Sequence, residues 1–212
     1  LLFVAAAIGL CFAIYRFAVP ALVELAVWVT PPAVTELMGK SVLLSLDQLV
    51  FDPTELDEAR RAALEARFRS LLAAAREMHG RSGPAPSYTL NFRMAGEIGP
   101  NAFALPDGSV VVTDELVALS QDDEMIMGVL AHEIGHVEHR HSLRQIYRVA
   151  GITALIMLIG GDIGAATEDI LTQGDTLLAL SHSRDAESEA DRYSVELMHN
   201  AGQDPAAIAR FF

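Results

Sequence analysis

Residues 130–142 read LAHEIGHVEHRHS, and the spacing within them constrains what the surrounding chain must build. Four residues of α-helix turn roughly 400° and rise about 6 Å, so His132 and His136 point the same way from one helix. Two imidazoles placed so can close on a single metal ion, and Zn2+ accepts nitrogen ligands in tetrahedral geometry. Glu133 lies one position on, beside such an ion rather than against it. There a carboxylate can take a proton from an activated water and hand it to a leaving amine. The same three residue types also fall at this spacing by chance on structural helices. Context favours a site: Met125, Ile126, Val129 and Leu130 give the segment an apolar face that turns the histidines inward, and Gly135 leaves room for a close neighbour.

A catalytic zinc needs a third protein ligand and an open position. Glu187-Ser188-Glu189-Ala190-Asp191 offers carboxylates on a helix expected over residues 175–200. Glu187 and Asp191 share a face, whereas Glu189 points roughly 200° away from Glu187. Glu187 as ligand with Asp191 behind a ligand histidine is one coherent arrangement; a solvated acidic turn is the other. His139 is a rival ligand, but it would leave Glu133 without a purpose. His141 and His182 read as structural or supporting, and His79 and His199 sit at helix ends where a cation suits the dipole.

Working outward, Ser120 with Asp123 resembles a capping box opening a helix from about 121 to 148. The apolar stretch 149–159 is too short to span a bilayer alone, and Gly160-Gly161-Asp162 ends it; a helical hairpin, a membrane-dipping segment or a core helix would each fit. Upstream, residues 88–94 alternate in a strand-like way, and 101–105 and 109–113 follow as two more short strands. Pro106-Asp107-Gly108 makes a hairpin turn, which gives a small antiparallel sheet. Asp52-Pro53-Thr54-Glu55 reads as a helix start, with Asp52 as N-cap and a helix over 53–79 stopped by Gly80. Residues 82–86 read as a turn. Pro31-Pro32 opens a short amphipathic stretch ending at Gly39.

Composition sets the outer limits. The 212 residues are 51% hydrophobic, with mean hydropathy +0.31, and the excess sits in residues 1–29 and 149–161. Net charge is −13 with a single lysine, Lys40, which disfavours nucleic acid as a partner. The one cysteine, Cys11, rules out an internal disulfide. Residues 1–30 are expected to be a membrane anchor, with Arg16 snorkelling to an interface; a signal peptide is the alternative. The absence of an initial Met suggests that something upstream has been removed. Arg16 and Lys40 are too few to orient the anchor by charge.

Four stretches agree with a known family: NAFALPDGSVVVTDEL (101–116), LAHEIGHVEHRHS (130–142), RDAESEADRYSVELM (184–198) and AGQDPAAIARFF (201–212). In order and spacing the chain resembles the membrane-associated zinc metallopeptidases that include HtpX, BepA, the Oma-type proteases and the CAAX-prenyl endopeptidases. The resemblance implies one Zn2+ per chain on His132, His136 and Glu187, with Glu133 as general base and Asp191 supporting the ligands. It also makes Asn101, Ala102, Phe103 and Ala104 an edge strand to which a peptide substrate adds through main-chain hydrogen bonds. Members usually continue with a segment that caps the cleft and supplies a His or Arg near the reacting carbonyl, so the C-terminal part of the domain is expected beyond Phe212. Tyr147, His182 and Tyr193 are the stand-ins within this chain.

The expected architecture is thus α+β and mainly helical: a zincin-like domain over 31–212 with a small antiparallel sheet, behind one N-terminal membrane helix. The implied function is zinc-dependent cleavage of unfolded or misassembled polypeptides at a membrane. By likeness to single-span bacterial members it sits at the inner membrane with the peptidase part periplasmic, in contact with lipid; the oligomeric state is unknown. A metal-dependent deformylase also uses HExxH but needs a Cys ligand, and Cys11 lies in the anchor. The rival outside the enzymes is a zinc-binding scaffold or chaperone-like module that holds clients without cutting them.

Overall fold

A computed structural model describes residues 2–79, 86–160 and 182–211. The chain opens with an apolar rod made of α1 (Leu2–Ala13), a π turn (Ile14–Ala18) and α2 (Val19–Val29). Pro20 explains the π turn. It lacks an N–H and its ring crowds the carbonyl four residues back, so the ladder widens there and Val19 N–H bonds Ile14 O instead. Ala6–Val29 has mean hydropathy 1.9 and is long and apolar enough to cross a bilayer. Phe3, Ile8, Phe12, Phe17 and Trp28 all stand exposed along it.

After Pro31, helix α3 runs from Pro32 to Leu49, ten residues past the stop expected at Gly39. Gly39 serves close approach instead: a Cβ there would collide with the Asp107 carboxylate. The helix expected from Pro53 begins only at Glu58 and runs to His79 (α4). Asp52–Pro53 is a two-residue edge strand, β1, paired with Met94 and Arg93. An edge tolerates the missing proline N–H. Asp114 holds this strap in place, its carboxylate accepting from Thr54 Oγ1 at 2.6 Å and Glu55 N at 2.7 Å. The helix cap is Asp57, which accepts from Arg60 N.

The sheet runs β1-β2-β4-β3, with β2 at Thr89–Met94, β3 at Ala102–Ala104 and β4 at Ser109–Thr113. It is mixed, not antiparallel as expected: β2 and β4 run parallel, in register from Thr89↔Ser109 to Arg93↔Thr113. The chain leaves β2, passes the place β4 will fill, lays β3 at the outer edge, and only then turns back between the two. Glu115 secures the crossing by accepting the N–H groups of Ala95 and Gly96 at 3.1 and 2.8 Å. β4 is buried on both faces, which is why SVVVT reads as an unbroken apolar run rather than an alternation.

Thr113 caps a short helix α5 (Asp114–Leu119), and Asp122, accepting from Met125 N at 2.9 Å, caps α6 (Asp123–Glu138). The single helix expected over 121–148 is in fact two. Arg140 adopts φ +53°, the chain breaks, and α7 runs from His141 to Gly160. Arg140 donates to the Val27 carbonyl at 3.1 Å, so the C-terminal end of α2 helps to hold the break open. The last long helix, α8 (Arg184–Asn200), starts on Ser183 as cap; the earlier part expected from 175 falls outside the described residues, as do Gly161 and Asp162 and nearly all of the 82–86 turn.

α6 is the axis of the core. Ile126, Met127, Leu130, Ala131 and Ile134 are fully buried between Leu64, Phe68 and Leu71 of α4, Val110 and Val112 of β4, and Leu197 and Met198 of α8. The other sheet face takes Leu46 of α3 with Phe51, Leu105 and Val111. A third cluster joins α2 to α7: Val19, Val23 and Val27 pack on Leu143.

Candidate metal centre

His132 Nε2 and His136 Nε2 stand 2.9 Å apart on the cleft side of α6. Helix α8 lies so close to α6 that a Cβ on Gly135 would meet Ala190 Cα at 3.0 Å. That approach carries Glu187 to the two rings, with Oε2 at 3.3 Å from His132 Nε2 and Oε1 at 3.8 Å from His136 Nε2. Donor atoms around a tetrahedral zinc with bonds of about 2.0–2.1 Å stand roughly 3.3 Å from one another. The three distances straddle that value, so these residues could hold the ion with one position left for water or substrate. Asp191 lies 3.0 Å from His132 Nδ1, not yet aligned as a hydrogen bond.

Glu133 is 8% exposed and lies close enough to the pair for all three side chains to offer donor atoms within 4.8 Å of one another. Burial, and then the charge of Glu187, push its carboxyl up to about 8, against the Ala104 N–H, which favours the carboxylate. His136 moves the other way, to about 2, chiefly by burial and then by crowding from His182, His132, His141 and His139.

Asn101, Ala102, Phe103 and Ala104 do line the same cleft, of about 300 Å³, with His132, Glu133 and Glu187. β3 pairs with β4 in register Phe103↔Val111, and Asn101 and Leu105 bond Thr113 and Ser109 through their main chain. By antiparallel alternation the N–H and C=O groups of Ala102 and Ala104 therefore turn away from the sheet. Ser142 donates to the Ala104 carbonyl at 2.7 Å and Ala104 N–H serves Glu133. The Ala102 groups have no protein partner among the described residues.

The remaining candidates separate. His182 lines the cleft and stacks on His136 at 4.1 Å between ring centroids. Tyr147 is turned to the apolar rod, with its hydroxyl 2.7 Å from Thr30 Oγ1. Tyr193 is buried beside His139. Sequence reasoning left one pairing out: His141 Nδ1 lies 2.9 Å from His136 Nδ1, and His141 Nε2 lies 3.1 Å from Glu189 Oε2. The separation of Glu189 from Glu187 around the helix was visible, but not that a second imidazole waits there.

The model of peptidase family M48 matches residues 59–212, from the start of α4 to the last residue. The chain belongs to peptidase family M48. Among its relatives, mitochondrial metalloendopeptidase OMA1 of Schizosaccharomyces pombe is 33% identical over 111 residues, covering 51% of this chain and 32% of that protein. Metalloprotease YcaL of Escherichia coli is 35% identical over 117 residues, covering 53% and 46%. The beta-barrel assembly-enhancing protease of the same organism is 31% identical over 121 residues, covering 52% and 25%. The matched stretches amount to less than half the length of these relatives. The first two relatives are named as metalloproteases, and M48 membership implies a metal, for which the cluster around His132 and His136 is the candidate site.

Proposed function

We propose that this M48 chain is a zinc-dependent endopeptidase that cuts unfolded or misassembled polypeptides at a bacterial inner membrane, its catalytic part periplasmic behind a single span. His132, His136 and Glu187 bind one zinc, and Asp191 orients His132. The observation that carries this reading is the position of Glu187, within 3.3 and 3.8 Å of the two ring nitrogens although it lies some fifty residues along the chain. When bound, zinc polarises the scissile carbonyl and acidifies water. A substrate strand pairs with the free main-chain groups of Ala102, which sets its scissile bond beside Glu133. Glu133, whose burial a cation held by the neighbouring histidines would offset in favour of the carboxylate, takes the proton of the attacking water and delivers it to the departing amine nitrogen. The wall that buries Glu133 keeps bulk water from competing for that proton. The exposed apolar face of α1 and α2 contacts lipid.

Metal analysis and casein cleavage test this. The wild-type chain should carry one zinc, and His136→Ala should lose it. Glu133→Gln should keep zinc while cleavage falls by about 10²–10⁴-fold. Equal cleavage by wild type and Glu133→Gln, or zinc without cleavage even in a longer form of the protein, would favour a scaffold that holds polypeptides without cutting them.

A further inference from the structure

We propose that Glu189 and His141 are positioning residues that set the tautomer and basicity of His136 through an unbroken hydrogen-bond chain. The inference rests on His136 being a metal ligand. To bind through Nε2, which faces His132 and Glu187, neutral His136 must carry its proton on Nδ1. That atom is 2.9 Å from His141 Nδ1, which must then be an unprotonated acceptor. Neutral His141 consequently carries its proton on Nε2, 3.1 Å from Glu189 Oε2. Every proton in the chain is thereby assigned: the Glu189 carboxylate accepts from His141, His141 accepts from His136, and His136 offers a lone pair to the ion. The negative charge of Glu189 reaches the ligand two rings away.

The fold builds this contact deliberately at the break between α6 and α7. On a continuous helix His141, five residues after His136, would point elsewhere; the left-handed Arg140 folds it back against the ligand. His136 and His141 are 2% and 4% exposed, so no water substitutes readily for either partner.

His139, His141 and Glu189 also offer donor atoms within 4.8 Å of one another, the pattern of a second metal site. With zinc on His136, an ion on His141 Nε2 would move the His141 proton to Nδ1 and set two N–H groups against each other at 2.9 Å. The relay and a second ion on His141 Nε2 therefore exclude one another in this geometry.

The test measures zinc affinity of the full chain by competition with a chromophoric chelator, with metal-free melting and the ¹⁵N shifts of His136 alongside. Glu189→Ala and His141→Phe should each weaken zinc binding by about 10–100-fold, and the double substitution should add little to the larger single loss. Glu189→Gln, which keeps an acceptor but not the charge, should recover part of it. Glu189 is nearly half exposed, so the metal-free melting of Glu189→Ala should match wild type. Wild-type affinity in both single variants, while His136→Ala loses zinc, would overturn the relay alone. Retention of zinc by His136→Ala would overturn the metal centre itself. Two zinc ions per chain, falling to one in His139→Ala, would also overturn the relay.

Discussion

Glu133 and His136 share one turn of α6, and burial drives their protons in opposite directions. Glu133 has its folded pKa raised from 4.5 to about 8, so its contribution to metal-free stability is fully present below pH 4.5 and is lost as pH climbs through 8. His136 is depressed from 6.5 to about 2, so its contribution is fully present above 6.5 and drains away as pH falls. His141 and His182 are depressed as well, chiefly by burial, and act with His136. Three histidines against one carboxyl place the stability maximum of the metal-free chain near pH 6.5. Urea unfolding of chelator-treated protein should show the midpoint falling on both sides of that value. Glu133→Gln should flatten the alkaline side between 6.5 and 8 and steepen the acid side between 4.5 and 6.5, where Glu133 had opposed the histidines; an alkaline side that survives the substitution would belong to another group.

The approach of α6 to α8 converts two separate sequence motifs into one centre, and Gly135 is where it is tightest. An alanine methyl there would press on the Ala190 backbone at 3.0–3.2 Å. Overpacking of this kind costs about 1–3 kcal/mol. Gly135→Ala should therefore lower the melting temperature moderately and weaken metal binding several-fold, because the same displacement withdraws Glu187; unchanged affinity in a folded variant would show that Glu187 follows independently. That His132 and His136 share one helix face, and Glu187 and Asp191 another, was legible in the sequence because helical spacing is local; that the two faces meet was decided only by the family resemblance. The split of α6 from α7 was not legible, since Arg140 takes a left-handed conformation without the Gly or Asn that usually announces one. Nor was the parallel pairing of β2 with β4, which depends on where β3 lands rather than on any residue within the strands. Asp52-Pro53 misled for a related reason: locally it is a good cap, but β2 and the Asp114 carboxylate claim it first.

Across the whole molecule, the apolar rod is not merely attached by its end. Glu24 pairs with Arg144 at 2.7 Å, Thr30 meets Tyr147, and three valines cover Leu143. Removing residues 1–29 should uncover Leu143, strand Arg144 without its carboxylate, and lower the melting temperature of what remains. In flotation with phospholipid vesicles the full chain should rise with lipid and the shortened one should stay in solution. Equal flotation would move the membrane contact to another surface, with the exposed Leu37 and Leu44 of α3 the next to examine. The pairings of Val27 with Arg140, Glu24 with Arg144 and Val19 with Gly151 set α2 and α7 side by side in opposite directions. On the proposed reading, with the rod spanning a bilayer, a cleft bolted to its post in this way would work at one fixed height. Lengthening the Thr30–Pro31 corner would add slack without adding reach, because every bolt but one lies before it, and cuts in a lipid-tethered polypeptide would fall within a narrow band measured from the bilayer.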